Sequence, residues 1–287
     1  MGGRRLLRAA VRWAARGVAG LLVLIIALSL GGAAYQHFAT ESDATRFPPK
    51  GQMVRIGARQ FHLHCTGHGA PTVILEPGLG LPSLAWAWAQ ADVASVSRAC
   101  IYDRAGYGWS DPSDAPSDAV NTSRELHALL EAANVGGPYV LVGHSIGGAY
   151  VRMFAAEYSQ AVVGLVLVDG SNPAGIDWSA VQKPSVLGTT ATYYFARAGG
   201  VRALLALRIV DFWQDLPAGE GAAVKAFMSK PGYIETAVKE RDSVVDTLKQ
   251  IGALGNLGSL PLTVIYSEQV IHPDPRARGM DTDKAAK

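Results

Sequence analysis

The residues best suited to do chemistry are Gly143-His144-Ser145-Ile146-Gly147, with Gly148 following. A serine hydroxyl is a weak nucleophile until a base takes its proton. A Gly-x-Ser-x-Gly run gains meaning when a strand precedes it and a helix follows, because the serine then sits on a sharp, strained turn. Here Tyr139–Val142 reads as a strand and Ile146–Tyr158 as a helix. The flanking glycines have no side chain to clash where the two elements approach. The Ser145 hydroxyl would stand above a sheet edge, and the Ile146 N–H would point into the same space as an oxyanion donor. His144 is expected to face away from the hydroxyl and to support the turn. The chemistry implied is acyl transfer through Ser145.

A second oxyanion donor is expected from the loop after an earlier strand. Thr72–Glu76 is a short apolar strand ending in Pro77-Gly78-Leu79-Gly80, and the Leu79 N–H is the candidate.

The elements that must position these groups alternate. Met53–Ile56 and Gln60–Cys65 form a hairpin pattern. Ser83–Val96 is helical in pattern, and Ala99–Tyr102 is a strand. Asn121–Ala133 is an amphipathic helix with Leu126, Leu129 and Leu130 on one face and Asn121 or Thr122 as cap, and Val163–Val168 is a strand. Strands separated by helical segments predict a doubly wound, mostly parallel α/β sheet. Residues 171–260 hold helical stretches and no clear strand, and Leu262–Tyr266 is a further strand. A helical insertion of this kind reads as a lid over the active-site edge. Its aromatic residues Tyr193, Tyr194, Phe195, Phe212 and Trp213 read as the lid's own core.

Four segments occur in an order that resembles the α/β-hydrolase fold superfamily: Glu76–Gly80, Tyr102-Asp-Arg-Ala-Gly-Tyr-Gly-Trp-Ser110, Gly143–Gly148, and Leu165-Val-Leu-Val-Asp-Gly-Ser171. The resemblance covers about residues 53–267. It implies a Ser–acid–His triad and hydrolysis of an ester, thioester or related small-molecule acyl substrate, without a cofactor. A serine at the nucleophile position disfavours the dehalogenase and epoxide chemistries of relatives that carry Asp there. The resemblance also makes the strands holding Cys65 and Cys100 neighbours, and a disulfide between these two residues is expected.

In this fold the acid usually follows the strand after the lid. That strand runs into Ser267-Glu268-Gln269-Val270 without the familiar spacing, and Glu268 and Asp274 are alternatives. Some relatives place the acid one strand earlier, where Asp169 stands, and Asp169 is the lead. His272, in a Pro-rich stretch, is the single histidine after the last predicted strand. The preferred expectation is that the sequence stops before the final strand and its histidine. A catalytically dead relative that binds ligands or partners is therefore the competing reading. His62 and His64 lack a third ligand nearby, so no metal site is expected.

The chain has 287 residues, 26 Lys+Arg and 24 Asp+Glu, a net charge of +2. So small a charge gives no reason to expect a nucleic-acid partner. It also conceals a split. Residues 1–16 carry five arginines and no acid, and the remainder carries 21 basic against 24 acidic residues. Gly17–Tyr35 is an uncharged apolar run of 19 residues. At about 1.5 Å per residue it spans roughly the hydrocarbon core of a bilayer. The arginine flank predicts a signal anchor with residues 1–16 cytoplasmic, 17–35 in the membrane, 36–52 as linker and a hydrolase domain over 53–287 outside. Secretion after cleavage near Gly32-Ala33-Ala34 is the alternative.

Overall fold

The computed structural model describes residues 2–172, 186–210 and 216–266. The elements run α1 (Gly2–Arg46), β1 (Gln52–Ile56), β2 (Arg59–Thr66), β3 (Thr72–Glu76), α2 (Ala87–Ala94), β4 (Ala99–Tyr102), α3 (Ala119–Ala132), β5 (Tyr139–His144), α4 (Gly147–Glu157) and β6 (Val162–Val168). The helices of the insertion, α5 (Val186–Arg197), α6 (Gly200–Ala206), α7 (Ala218–Met228) and α8 (Pro231–Gly252), follow, and then β7 (Leu262–Ile265).

The seven strands form one sheet in the order β1-β2-β4-β3-β5-β6-β7. β1 and β2 pair antiparallel, β2 pairs antiparallel with β4, and the rest are parallel. Strands buried on both faces read as continuous apolar runs, and every residue of β3 and β4 is buried. On one face Ile74, Cys100, Leu141 and Leu165 pack against Leu126 and Leu129 of α3 and Val151 and Phe154 of α4. On the other, Val73, Leu75, Ile101 and Val142 pack against Trp86 and Val93. The sheet is therefore covered from both sides, as the alternation of elements predicts.

The winding reverses between β3 and β5. From β3 the chain crosses to β4 on one side, then returns by α3 to β5 on the other. In open α/β sheets the crevice at such a reversal, beyond the carboxyl ends of the strands, is where ligands bind. The Pro77–Gly80 loop and the Ser145 turn leave the sheet there as neighbours, with Glu76 opposite Gly143 in register.

Cys65 and Cys100 are directly paired across β2 and β4, and they form a disulfide. α3 begins two residues before its expected start. Its cap is Asp118, whose side chain accepts the Asn121 N–H at 2.9 Å, not Asn121 or Thr122.

The N-terminal region departs from expectation. α1 does not stop at Tyr35 but continues to Arg46, so residues 36–46, expected as linker, are helical. They pack against the insertion through Gln36 and Asp43, which contact Ser229 and Arg202, and such tertiary contact supports a helix beyond its local propensity. Ala10–Arg46 contains a stretch long and apolar enough to cross a membrane, with mean hydropathy 2.3 and none of it buried.

Candidate functional site

Ser145 occupies the turn between β5 and α4 with φ of +53°, a left-handed conformation that costs a non-glycine residue strain. The neighbouring contacts impose it. A side chain at Gly147 would place its Cβ 2.6 Å from the Pro77 carbonyl oxygen and 2.7 Å from that of Glu76. At Gly143 it would lie 2.6 Å from the Gly147 oxygen. The strand, the helix and the Pro77 loop thus meet backbone to backbone. The Ser145 N–H donates to Val168 O at 3.0 Å, and its own carbonyl accepts from Gly148 at 3.0 Å and Ser171 at 2.9 Å.

The Pro77–Gly80 loop lies directly against this turn. A Cβ at Gly78 would fall 2.8 Å from His144 Nδ1 and 3.3 Å from Ser145 Cβ. His144 is therefore packed toward Gly78, and its ring also meets Trp86 edge-on at 6.4 Å between centroids. Ile146 is buried, Ser145 is half-buried, and Leu79 is exposed. Among the described residues no backbone carbonyl accepts the N–H of Leu79 or of Ile146.

Asp169 also has positive φ, +45°, and its N–H donates to Ile265 O at 2.8 Å. It follows β6, the neighbour of β5, and its residue is exposed. Glu268, His272 and Asp274 lie outside the described residues, as do Phe212 and Trp213.

A buried ionic network braces the loop from beneath. The Arg104 guanidinium pairs with Glu76 at 2.5 Å and Glu240 at 2.8 Å, and donates to Pro77 O and Gly78 O at 2.9 Å each. Glu240, on α8, also accepts from Tyr107 at 2.5 Å, Tyr150 at 3.0 Å and the Gly80 N–H at 2.9 Å. Tyr233 donates to Gly80 O, and Tyr102 to Glu76. Burial opposes the Arg104 charge, but the Glu240 and Glu76 carboxylates hold its pKa well above the ordinary value. Burial raises the Glu76 carboxyl despite the attraction of Arg104. Burial likewise pushes the Tyr107 and Tyr150 hydroxyls well up, so they remain protonated donors.

The Asp103–Ser110 segment closes the other side. Asp103 accepts the Ser83 N–H at 2.7 Å and sits 2.8 Å from His62 Nδ1, while His62 Nε2 is 2.6 Å from Lys50 O. Burial favours a raised Asp103 pKa, yet the His62 contact and the Ser83 hydrogen bond bring it below the ordinary carboxylate value. Gly108 is required here because a Cβ would overlap the Asp103 carboxylate, 2.1 Å from Oδ2. His62 thus lies between the Asp103 carboxylate and the Lys50 carbonyl. The sequence motifs revealed Arg104 and Asp103 but not their partner Glu240, which reads as one more charge in Lys239-Glu240-Arg241-Asp242.

A family model described as alpha/beta hydrolase fold matches residues 71–206. The uncharacterised protein YqjL of Bacillus subtilis (strain 168) is 36% identical over 110 residues, covering 38% of this chain and 44% of YqjL. A 2-hydroxy-6-oxononadienedioate/2-hydroxy-6-oxononatrienedioate hydrolase of Cupriavidus pinatubonensis (strain JMP 134 / LMG 1197) is 33% identical over 138 residues, 46% of each chain. An uncharacterised vacuolar membrane protein of Saccharomyces cerevisiae (strain ATCC 204508 / S288c) is 30% identical over 132 residues, 39% of this chain and 20% of that one. The chain spans less than half the length of these curated relatives. Among solved structures, the ligand-free epoxide hydrolase CorEH superposes with a TM-score of 0.58 at 19% identity, over 75% of this chain and 81% of that one. At that identity the likeness speaks for the fold alone.

Proposed function

We propose that this chain, which belongs to the α/β-hydrolase fold superfamily, is a serine hydrolase that cleaves an ester or related small-molecule acyl substrate through a Ser145 acyl-enzyme. One observation carries the reading: Ser145 is held at φ +53° on the β5–α4 turn, at the point where the sheet's winding reverses. Strain of this kind persists only where the surroundings enforce it, and it gathers at functional sites. The same position in an epoxide-opening enzyme would call for a carboxylate nucleophile, and this chain has a hydroxyl there.

In the proposed reaction the Ser145 Oγ attacks the substrate carbonyl carbon as its proton passes to a base. The negative charge that develops on the carbonyl oxygen is met by the N–H groups of Ile146 and Leu79. One such preorganised donor is worth roughly 3 kcal/mol of barrier in related acyl transfers. Collapse of the tetrahedral species expels the alcohol, which takes the proton. Water then attacks the acyl-serine by the reverse sequence, releasing the acid and restoring Ser145. Asp169 is the proposed acid, on the strand end beside Ser145.

The Leu79 assignment is supported by the placement of its loop, with Gly78 against the nucleophile turn and Arg104 bound to the Pro77 and Gly78 carbonyls. The α1 run Gly17–Tyr35 is read as a membrane anchor, with the arginine-rich flank cytoplasmic and the hydrolase domain on the far side.

A fluorophosphonate probe applied to the intact chain tests the function. A covalent adduct at Ser145, lost in Ser145→Ala, is expected. Folded protein that gives no adduct overturns the hydrolase and leaves the ligand-binding relative as the better account.

A further inference from the structure

α1 joins two parts of the molecule without a break. Its apolar run, Gly17–Tyr35, is exposed, and the turns that follow are fastened to the lid. Gly32 allows the closest contact, since a Cβ there would sit 2.2 Å from the Ala198 carbonyl oxygen in the α5–α6 turn. Gln36 is only 3% exposed. It donates to Ser229 O at 2.8 Å and accepts from Arg202 Nε at 2.9 Å. Arg202 also pairs with Asp43 at 2.8 Å. Phe47 packs beside Leu84, Tyr107 and Phe227, and its carbonyl accepts the Trp109 indole N–H at 2.8 Å. These contacts join the helix to the insertion along its last turns.

This fixes the height of the lid. Gly32 belongs to the apolar run, so the Ala198–Gly199 turn that touches it lies level with the last turn of that run. The composition of α5 and α6 suits such a level. Residues 186–210 contain three arginines, Arg197, Arg202 and Arg208, and no acid. Tyr194 is 64% exposed, Phe195 47%, Leu207 70% and Ile209 65%. Aromatic rings prefer the boundary between headgroups and acyl chains, and arginines there reach phosphates while their stems stay in apolar surroundings. A segment with exposed aromatic and aliphatic side chains, basic charge and no carboxylate has the composition of an interfacial membrane element.

We propose that the α5–α6 hairpin is a second membrane contact, seated in the interface of the leaflet from which α1 emerges, with Phe195, Leu207 and Ile209 in the acyl boundary and Arg197 and Arg208 at lipid phosphates. The proposal rests on reading α1 as a membrane span, and the occupant it names is the bilayer surface itself.

The test uses the full chain. Cys65 and Cys100 are bonded to each other, so an introduced cysteine can be labelled selectively. Leu207→Cys, Phe195→Cys, Leu24→Cys and Val96→Cys carry an environment-sensitive fluorophore in vesicles of phosphatidylcholine and phosphatidylglycerol with brominated acyl chains. Labels at positions 24, 195 and 207 are expected to shift to the blue and lose most of their emission to bromine. The label at position 96 should be quenched by aqueous iodide instead. Lipid quenching at 24 with iodide quenching at 195 and 207 overturns the lid contact and leaves the span standing. Iodide quenching at 24 removes both. Blue-shifted labels at 195 and 207 that neither quencher reaches place the hairpin against protein, and that also overturns the proposal.

Discussion

The Glu240 carboxylate accepts the backbone N–H of Gly80 across 2.9 Å, joining helix α8 of the insertion to the loop that carries Leu79. The same carboxylate pairs with Arg104 at 2.8 Å, and Arg104 in turn holds the Pro77 and Gly78 carbonyls. The loop is therefore held at Pro77, Gly78 and Gly80 by two opposite charges from different parts of the chain. Glu240→Ala leaves Arg104 with Glu76 as its counter-charge but takes the acceptor from Tyr107, Tyr150 and the Gly80 N–H. It is expected to cost about 3 kcal/mol in a denaturant titration. Glu240→Gln keeps an acceptor for Gly80 and should cost less. If the loop presents the oxyanion donor, the fluorophosphonate labelling rate at Ser145 falls in the alanine variant and recovers in part with glutamine.

The elbow tolerates no side chain at its second glycine. Gly147→Ala would press a methyl group into two backbone carbonyls, neither of which can rotate away. An expected loss of about 1–3 kcal/mol, together with Ser145 labelling, is checked by thermal unfolding and mass spectrometry. Gly136→Ala, with nothing within 4 Å of its would-be Cβ, is the control and should change neither.

Acid stability should depend on Asp103. Its folded pKa is depressed by His62 and Ser83 against the effect of burial. A depressed carboxylate contributes stability above its unfolded value of about 3.9, and that contribution disappears as pH falls through the lower folded value. Unfolding midpoints measured from pH 6 to pH 2 should drop more steeply for the parent than for Asp103→Asn, which has no proton to gain at that position. Equal slopes would show that Asp103 does not control the acid limb.

Reduction should weaken the domain. The Cys65–Cys100 bond closes a loop of sequence separation 35, and such a cross-link restricts the unfolded chain by about 2–4 kcal/mol. A lower unfolding midpoint in reductant, absent from the doubly substituted Cys65→Ala/Cys100→Ala chain, is the expected result.

The order of elements, the Ser145 turn and the Leu79 loop were legible because each depends on short-range pattern. Period-two and period-3.6 apolar spacing mark strands and helices, and Gly143 and Gly147 mark a turn without room for side chains. The Cys65–Cys100 pair followed only once the fold placed their strands side by side. Asp118 escaped as the cap of α3 because Asn121 and Thr122 are equally good capping types and the choice turns on one backbone angle.

By itself, then, the sequence determined a strained serine between a strand and a helix, and an apolar N-terminal run with a basic flank. Tertiary structure decided the fate of residues and segments whose types say little. Glu240 stands among charges on an amphipathic helix, and nothing local distinguishes it from a solvated carboxylate. It becomes buried because α8 crosses over Arg104, Tyr107 and Tyr150. Residues 36–46 carry the Pro-proximal, polar composition of a linker, yet they are helical where Gln36 and Asp43 meet Ser229 and Arg202 of the insertion. In both cases the deciding partners lie 90 or more residues away, and only the folded chain brings them within hydrogen-bonding reach.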